Sequence, residues 1–146
     1  MTQSRNGALD ALETALTAIF VNPATFAREP EKSPDASTDG VVQQFDGDPG
    51  EPEVLLCNPP LYCYEHSVEL EITAKGEDRK TVVRALVALI EPKLSLDRTL
   101  GGAVDDARIV EAVKYMQFGA DAEGVETEYT AVVNVQLAYT TATAAN

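Results

Sequence analysis

The sequence predicts an α+β domain: an antiparallel or mixed β-sheet with two main helices packed on one of its faces. Three observations point there. Residues 7–20 and about 78–90 place apolar side chains at helical spacing. Residues 61–75 alternate apolar and polar over a length that suits a long strand. Two further alternating stretches, 107–118 and 125–139, are joined by a short polar connection from Gly119 to Gly124 and read as an antiparallel hairpin. Helices and strands do not alternate strictly, which disfavours a doubly wound parallel sheet. At 146 residues the chain is read as one domain, 1–146.

In the first helix Leu9, Leu12, Leu16 and Ile19 form the apolar stripe, Ser4 or Asn6 offers a cap, and Asn22-Pro23 ends the pattern. Residues 22–60 differ in texture. They hold seven of the eight prolines, and Glu29 to Glu53 contains eight acidic residues against one lysine. Short strands are expected at 41–45 and 53–56, with long loops between them that stay mobile for want of charge-compensating partners. In the long strand Tyr62, Tyr64, His66, Val68, Leu70 and Ile72 form the buried side, and Glu65, Glu69 and Glu71 line the other. Val82, Val83, Leu86, Leu89 and Ile90 form the stripe of the second helix, which Glu91-Pro92 is expected to end. The last strand alternates Val125, Tyr129, Val133, Val135, Leu137 and Tyr139 with Glu126, Glu128 and polar residues, and TTATAAN reads as a frayed tail.

The charge is lopsided: 24 Asp+Glu against 11 Lys+Arg, a net −13. Such a surface repels phosphate backbones, which argues against nucleic-acid binding. Acidity can serve solubility alone, or a surface that DNA must pass without sticking. No run of about 18 apolar residues suggests a membrane span. The opening MTQSRNGALDALETAL lacks the basic flank and apolar stretch of a secretory leader, so an intracellular product is expected. In a reducing cytosol Cys57 and Cys63 are expected as thiols, although a local disulfide across Asn58-Pro59-Pro60 is conceivable.

No catalytic machinery is legible. GxGxxG, GxxxxGK[ST], HExxH and GxSxG are all absent. His66, the single histidine, sits on the apolar side of a strand, where a packed ring with one satisfied nitrogen is the expectation. Asp46-Gly47-Asp48 opens like a calcium loop, but Cys57 stands where the bidentate glutamate belongs, so a solvated turn is expected. Asp105-Asp106 and the glutamates of the long strand are read as solvent-facing. No catalytic, cofactor or metal residue is assigned, and the tyrosines lack the basic neighbours of a base-stacking platform.

Residues 94–104 have more character. Asp97 can cap a turn, Leu96 and Leu100 can anchor it, and Gly101-Gly102 can reverse the chain into the next strand. With Asp97-Arg98-Thr99-Leu100-Gly101-Gly102 in this setting, the chain resembles the tail terminator (tail completion, minor tail) proteins of long-tailed bacteriophages and gene transfer agents. The correspondence runs from the helix at Gly7–Phe20, through the variable 22–60 region, the strand Leu61–Lys75 and the helix Asp78–Ile90, to closing strands ending Ala138-Tyr139-Thr140-Thr141. Asp97, Thr99, Leu100, Gly101 and Gly102 carry the motif. The resemblance implies a virion tail protein without turnover or cofactor. It would form a ring, a homohexamer, that caps the finished tail tube protein, stops polymerisation and presents a surface to the head-tail connector protein. Six acidic copies around a channel would let DNA slide past without specific binding. Rival readings are another head-tail joining or neck protein, a small acidic binding module, and a small enzyme built around His66.

Overall fold

The computed structural model describes residues 3–20, 24–32, 34–118 and 128–143. Its six strands are β1 (Thr25–Arg28), β2 (Val41–Phe45), β3 (Glu53–Leu55), β4 (Leu61–Lys75), β5 (Asp106–Phe118) and β6 (Glu128–Thr141). They form one mixed sheet in the order β1-β2-β4-β6-β5, with β3 paired to β4 off that path. β1 runs parallel to β2, and every other pairing is antiparallel. The α+β class read from the sequence is the fold observed.

β4 is the axis. It spans Leu61–Lys75 as its alternation requires, and it pairs with β6 along its whole length, from Tyr62 opposite Thr141 to Lys75 opposite Glu128. Period two then sorts the side chains. Tyr64, Val68, Leu70, Ile72 and Ala74 turn inward beside Tyr129, Ala131, Val133, Val135, Leu137 and Tyr139 of β6. The helices cover this side only. α1 (Arg5–Ile19) contributes Ala8, Leu9, Leu12 and Leu16. α2 (Arg79–Val87) contributes Val83, and α3 (Ile90–Leu96) contributes Ile90 and Leu94. Ser4 caps α1 by accepting the Gly7 amide at 3.0 Å.

Four expectations change. The helix read as ending at Glu91-Pro92 is two helices, broken at Ala88-Leu89. Pro92 lies in the first turn of α3, where its missing N–H removes no intrahelical bond. Leu89, placed on the apolar stripe by spacing, is consequently 43% exposed. Residues 22–60 contain β1 as well as β2 and β3, and the stretch between β1 and β2 is tied to the end of β4 by Lys75 N–H donating to the Ser37 carbonyl at 3.0 Å. β6 continues through Thr141, two residues into the tail read as frayed. β5 carries a bulge: four steps from Val110 to Lys114 match two from Asn134 to Val132, with Glu111 at φ 65°. Residues Asn22-Pro23, the connection Gly119–Gly124, Val125, Glu126 and the last three residues of the tail lie outside the described residues.

Gly40 is required by close approach. A Cβ there would lie 2.5 Å from Leu86 Cδ1, and its φ of 96° is one that side chains resist. Its absence lets α2 seat against the start of β2.

Candidate assembly surfaces

The Asp97–Gly102 turn organises itself. Asp97 Oδ1 accepts the Thr99 amide at 3.0 Å and its hydroxyl at 2.6 Å, while Oδ2 accepts the Gly101 amide at 2.8 Å. Thr99 and then the backbone donors hold this carboxyl below the usual aspartate range. Leu100, Gly101 and Gly102 all have positive φ, 49°, 73° and 93°, so two glycines here are a steric requirement. Arg98 ties the turn down, donating to the Ala107 carbonyl at 3.1 Å and pairing with Glu91. Leu100 packs against the core as expected, but Leu96 does not anchor the turn: it is 82% exposed. The Asp97 carboxylate is engaged within the turn, so the motif shapes a surface.

That surface is one wall of a groove. Ala11, Thr14, Ala15 and Ala18 of α1 form its floor, and Leu96 and Leu100 stand opposite across about 370 Å³. Lys93 lies at its rim and makes no ion pair among the described residues.

Beneath α1 lies a polar network. The His66 ring is inaccessible to solvent. Nε2 contacts the Asp46 carbonyl, which only accepts, so Nε2 carries the proton. Nδ1 is then the acceptor, and Tyr139 O–H donates to it at 2.9 Å. Both ring nitrogens are satisfied, one more than the sequence reading allowed. Burial is the main force lowering the His66 pKa, and burial pushes the Tyr139 hydroxyl up to about 12. Both groups are held neutral, with no nucleophile in the network. Asp46 itself is no solvated turn. Arg28 grips its carboxylate at 2.8–3.0 Å and reaches Asp10 at 2.6 Å and Glu13 at 3.2 Å on α1. These carboxylates, Asp46 foremost, raise the guanidinium pKa further. The acidic segment therefore has a charge partner, seated just before it. Asp48 accepts the Gly50 amide at 3.3 Å.

The other side of the sheet is open along much of β4, although Val41 and Gln43 of β2, opposite Thr73 and Glu71, are buried. Glu65, Ser67 and Glu69 of β4 are exposed there, with Glu71 half-buried. Opposite them β6 presents Ala138, Gln136, Asn134 and Val132, none of them a cation. Desolvation, then the neighbouring Glu69, raises the Glu71 carboxyl above the usual range. Arg5, Arg79, Lys80, Arg84, Lys93 and Arg98 lie on the helices or the turn that follows them, while the cations of this side stand at its margins: Lys75 ends β4, and Arg108 and Lys114 of the edge strand β5 stand opposite Gln136 and Val132. At the end of this face a cavity of about 500 Å³ is lined by Glu51, Glu53, Glu65 and Asp105. Asp105 accepts the Thr140 hydroxyl at 2.8 Å, and Asp106 lies 3.5 Å from Arg108. Cys57 and Cys63 are both free thiols, Cys57 exposed.

Sequence reasoning placed the turn and the acidic strand side. It missed the Arg28 network, although Arg28 is the one cation between Arg5 and Lys32 and so the obvious partner for the carboxylates around it. It also missed the groove, which two elements far apart in sequence create. No protein-family model matches the chain, and no curated protein matches it either. No helix among the described residues is long and apolar enough to cross a membrane.

Proposed function

We propose that this protein is a structural subunit of a ring, of six copies as the resemblance implies, that caps a completed phage tail tube, ends its polymerisation and offers a surface to the head-tail connector. The observation that carries this reading is the one-sided sheet. All helices lie on one face, and on the other the central strand β4 leaves Glu65, Glu69 and Glu71 open, with Lys75, Arg108 and Lys114 confined to the margins of that face. A ring with that face inward would have a negative bore. Double-stranded DNA passing through it is repelled by the carboxylates of β4, which gives it no resting place along the centre of the face. The Asp97–Gly102 turn agrees with the family motif in residues and supports the same reading. The paired, neutral His66–Tyr139 network gives the rival enzyme reading no activated group.

The test is the mass of the purified protein in solution, alone and with tail-tube protein. The expected result is a discrete multi-subunit ring that binds tube ends and stops their growth. A one-to-one complex with a basic protein, and no ring, would replace this reading with the acidic binding module.

A further inference from the structure

We infer that Glu71 is a proton-operated latch: protonated, it donates to the buried Gln43 Oε1 and ties β2 to β4, and as a carboxylate it leaves that tie open. Val41, Gln43 and Phe45 of β2 stand opposite Thr73, Glu71 and Glu69 of β4, on the side of the sheet away from the helices. Gln43 and Glu71 are thus direct cross-strand partners, which sets their Cβ atoms about 4.5–5.5 Å apart. Gln43 is only 6% exposed, and its Oε1 is buried with no hydrogen-bond partner among the described residues. A buried acceptor without a donor is costly, and folded proteins keep few of them.

The surroundings of Glu71 leave Gln43 as the one polar side chain directly across a strand from it. On the β6 side Val132 stands opposite, with Lys114 of β5 beyond it. Along β4, Glu69 carries the same charge, and the Thr73 hydroxyl is engaged with Thr130 Oγ1 at 2.9 Å. The stretch between β1 and β2 carries Glu29, Glu31, Lys32, Asp35 and Asp39, all exposed. No ion pair reaches Glu71 among the described residues.

The chemistry of the two groups fixes the sign. A carboxylate and an amide oxygen both only accept, so ionised Glu71 and Gln43 Oε1 have no hydrogen to share. Protonation turns Glu71 into a donor opposite an acceptor that lacks one. Burial, then Glu69, disfavours the charged form, so the proton is taken up above the ordinary value of 4.5. The latch is therefore open at neutral pH and closes as pH falls through the raised folded value. β2 lies between β1 and β4, so closing fastens the β1–β2 flank to the central strand and removes one charge from the row Glu65, Glu69 and Glu71. The latch belongs to this strand pair alone and holds whether or not copies form a ring.

NMR titration of the full chain, read at the Glu71 carboxyl carbon, tests the latch. The wild-type midpoint should lie above 4.5. Gln43→Met keeps the length of the side chain and removes the acceptor. It should lower the proton affinity of Glu71 by about two- to tenfold, the worth of one hydrogen bond. A midpoint unmoved by Gln43→Met overturns the latch. A midpoint raised by it overturns the latch as well, since the amide nitrogen of Gln43 then faces Glu71 and holds the carboxylate. Hydrogen exchange in β2 gives a second reading that needs no change at Gln43. Glu71→Gln supplies a permanent donor, so the amides of Val41–Phe45 should gain about two- to tenfold in protection over wild type at pH 7. That gain should shrink towards pH 4.5, where the native carboxyl itself donates. Glu71→Met removes the charge without supplying a donor and should not reproduce the gain. Equal protection in Glu71→Gln and Glu71→Met at pH 7 overturns the latch and leaves relief of charge as the whole effect.

Discussion

On one side of β4, Tyr64, His66, Val68, Leu70 and Ile72 are sealed under three helices; on the other, Glu65, Ser67 and Glu69 stand in solvent. The same backbone and the same hydrogen-bond ladder serve both sides. The inner side holds the domain together through contact with α1, α2 and α3. The outer side adds nothing to that core and carries the carboxylates of β4 along its centre, with Lys75, Arg108 and Lys114 at its margins. Stability and surface function are thus separated by the period of the strand alone, and substitutions one residue apart should separate them too.

The largest effect belongs to the inner side. Leu70 is fully buried at the centre of the sheet, so Leu70→Ala should cost about 2–5 kcal/mol of unfolding free energy in denaturant titration. A cost below about 1 kcal/mol would mean that the helix layer collapses into the gap and that the core is looser than the burial of Leu70 implies.

Tyr139→Phe keeps the ring and removes the donor to His66 Nδ1. Leaving that buried acceptor unpaired should cost about 1–3 kcal/mol. The same histidine imposes a pH dependence. Its folded pKa is lowered, so the unfolded chain takes up a proton first as pH falls below the ordinary value of 6.5. Stability should therefore be fully present above that value and decline as pH falls below it, and His66→Phe should flatten the decline. A wild-type curve that is level across this window would contradict a buried neutral His66.

The outer side should respond least. Glu65→Gln and Glu69→Gln should change stability by no more than about 0.5 kcal/mol. Glu71→Gln should be neutral to slightly stabilising at pH 7, since the native carboxylate is desolvated and faces Glu69. Because the folded pKa of Glu71 is raised, its protonation as pH falls towards the carboxylate range relieves that penalty, and the gain of the variant should shrink. Thermal melts at pH 7 and pH 4.5 would show it. A large loss from any of these three substitutions would give the outer carboxylates a structural part.

How far the sequence foretold this structure follows the length of each signal. β4 and β6 are legible because alternation over so many residues has no other explanation. β1 is only four residues, Thr25–Arg28, in a proline-rich region, and its pairing to β2 is non-local, so nothing in its own residues announces it. Pro92 was ambiguous for a physical reason: proline both ends helices and fits their first turn, and only the seating of Ile90 and Leu94 in the core decides between them. The Asp97–Gly102 turn was readable in its residue types, since an Asx carboxylate and two glycines specify the backbone. The exposure of Leu96 was not, because it depends on where α1 runs.

The central claim concerns which side of β4 faces inward in the assembled particle. A cryo-electron microscopy map of the ring, at a resolution that separates strands, decides it. The account predicts Glu65, Glu69 and Glu71 on the bore and α1, α2 and α3 on the outside. A ring with the helices and their cations lining the channel would contradict it.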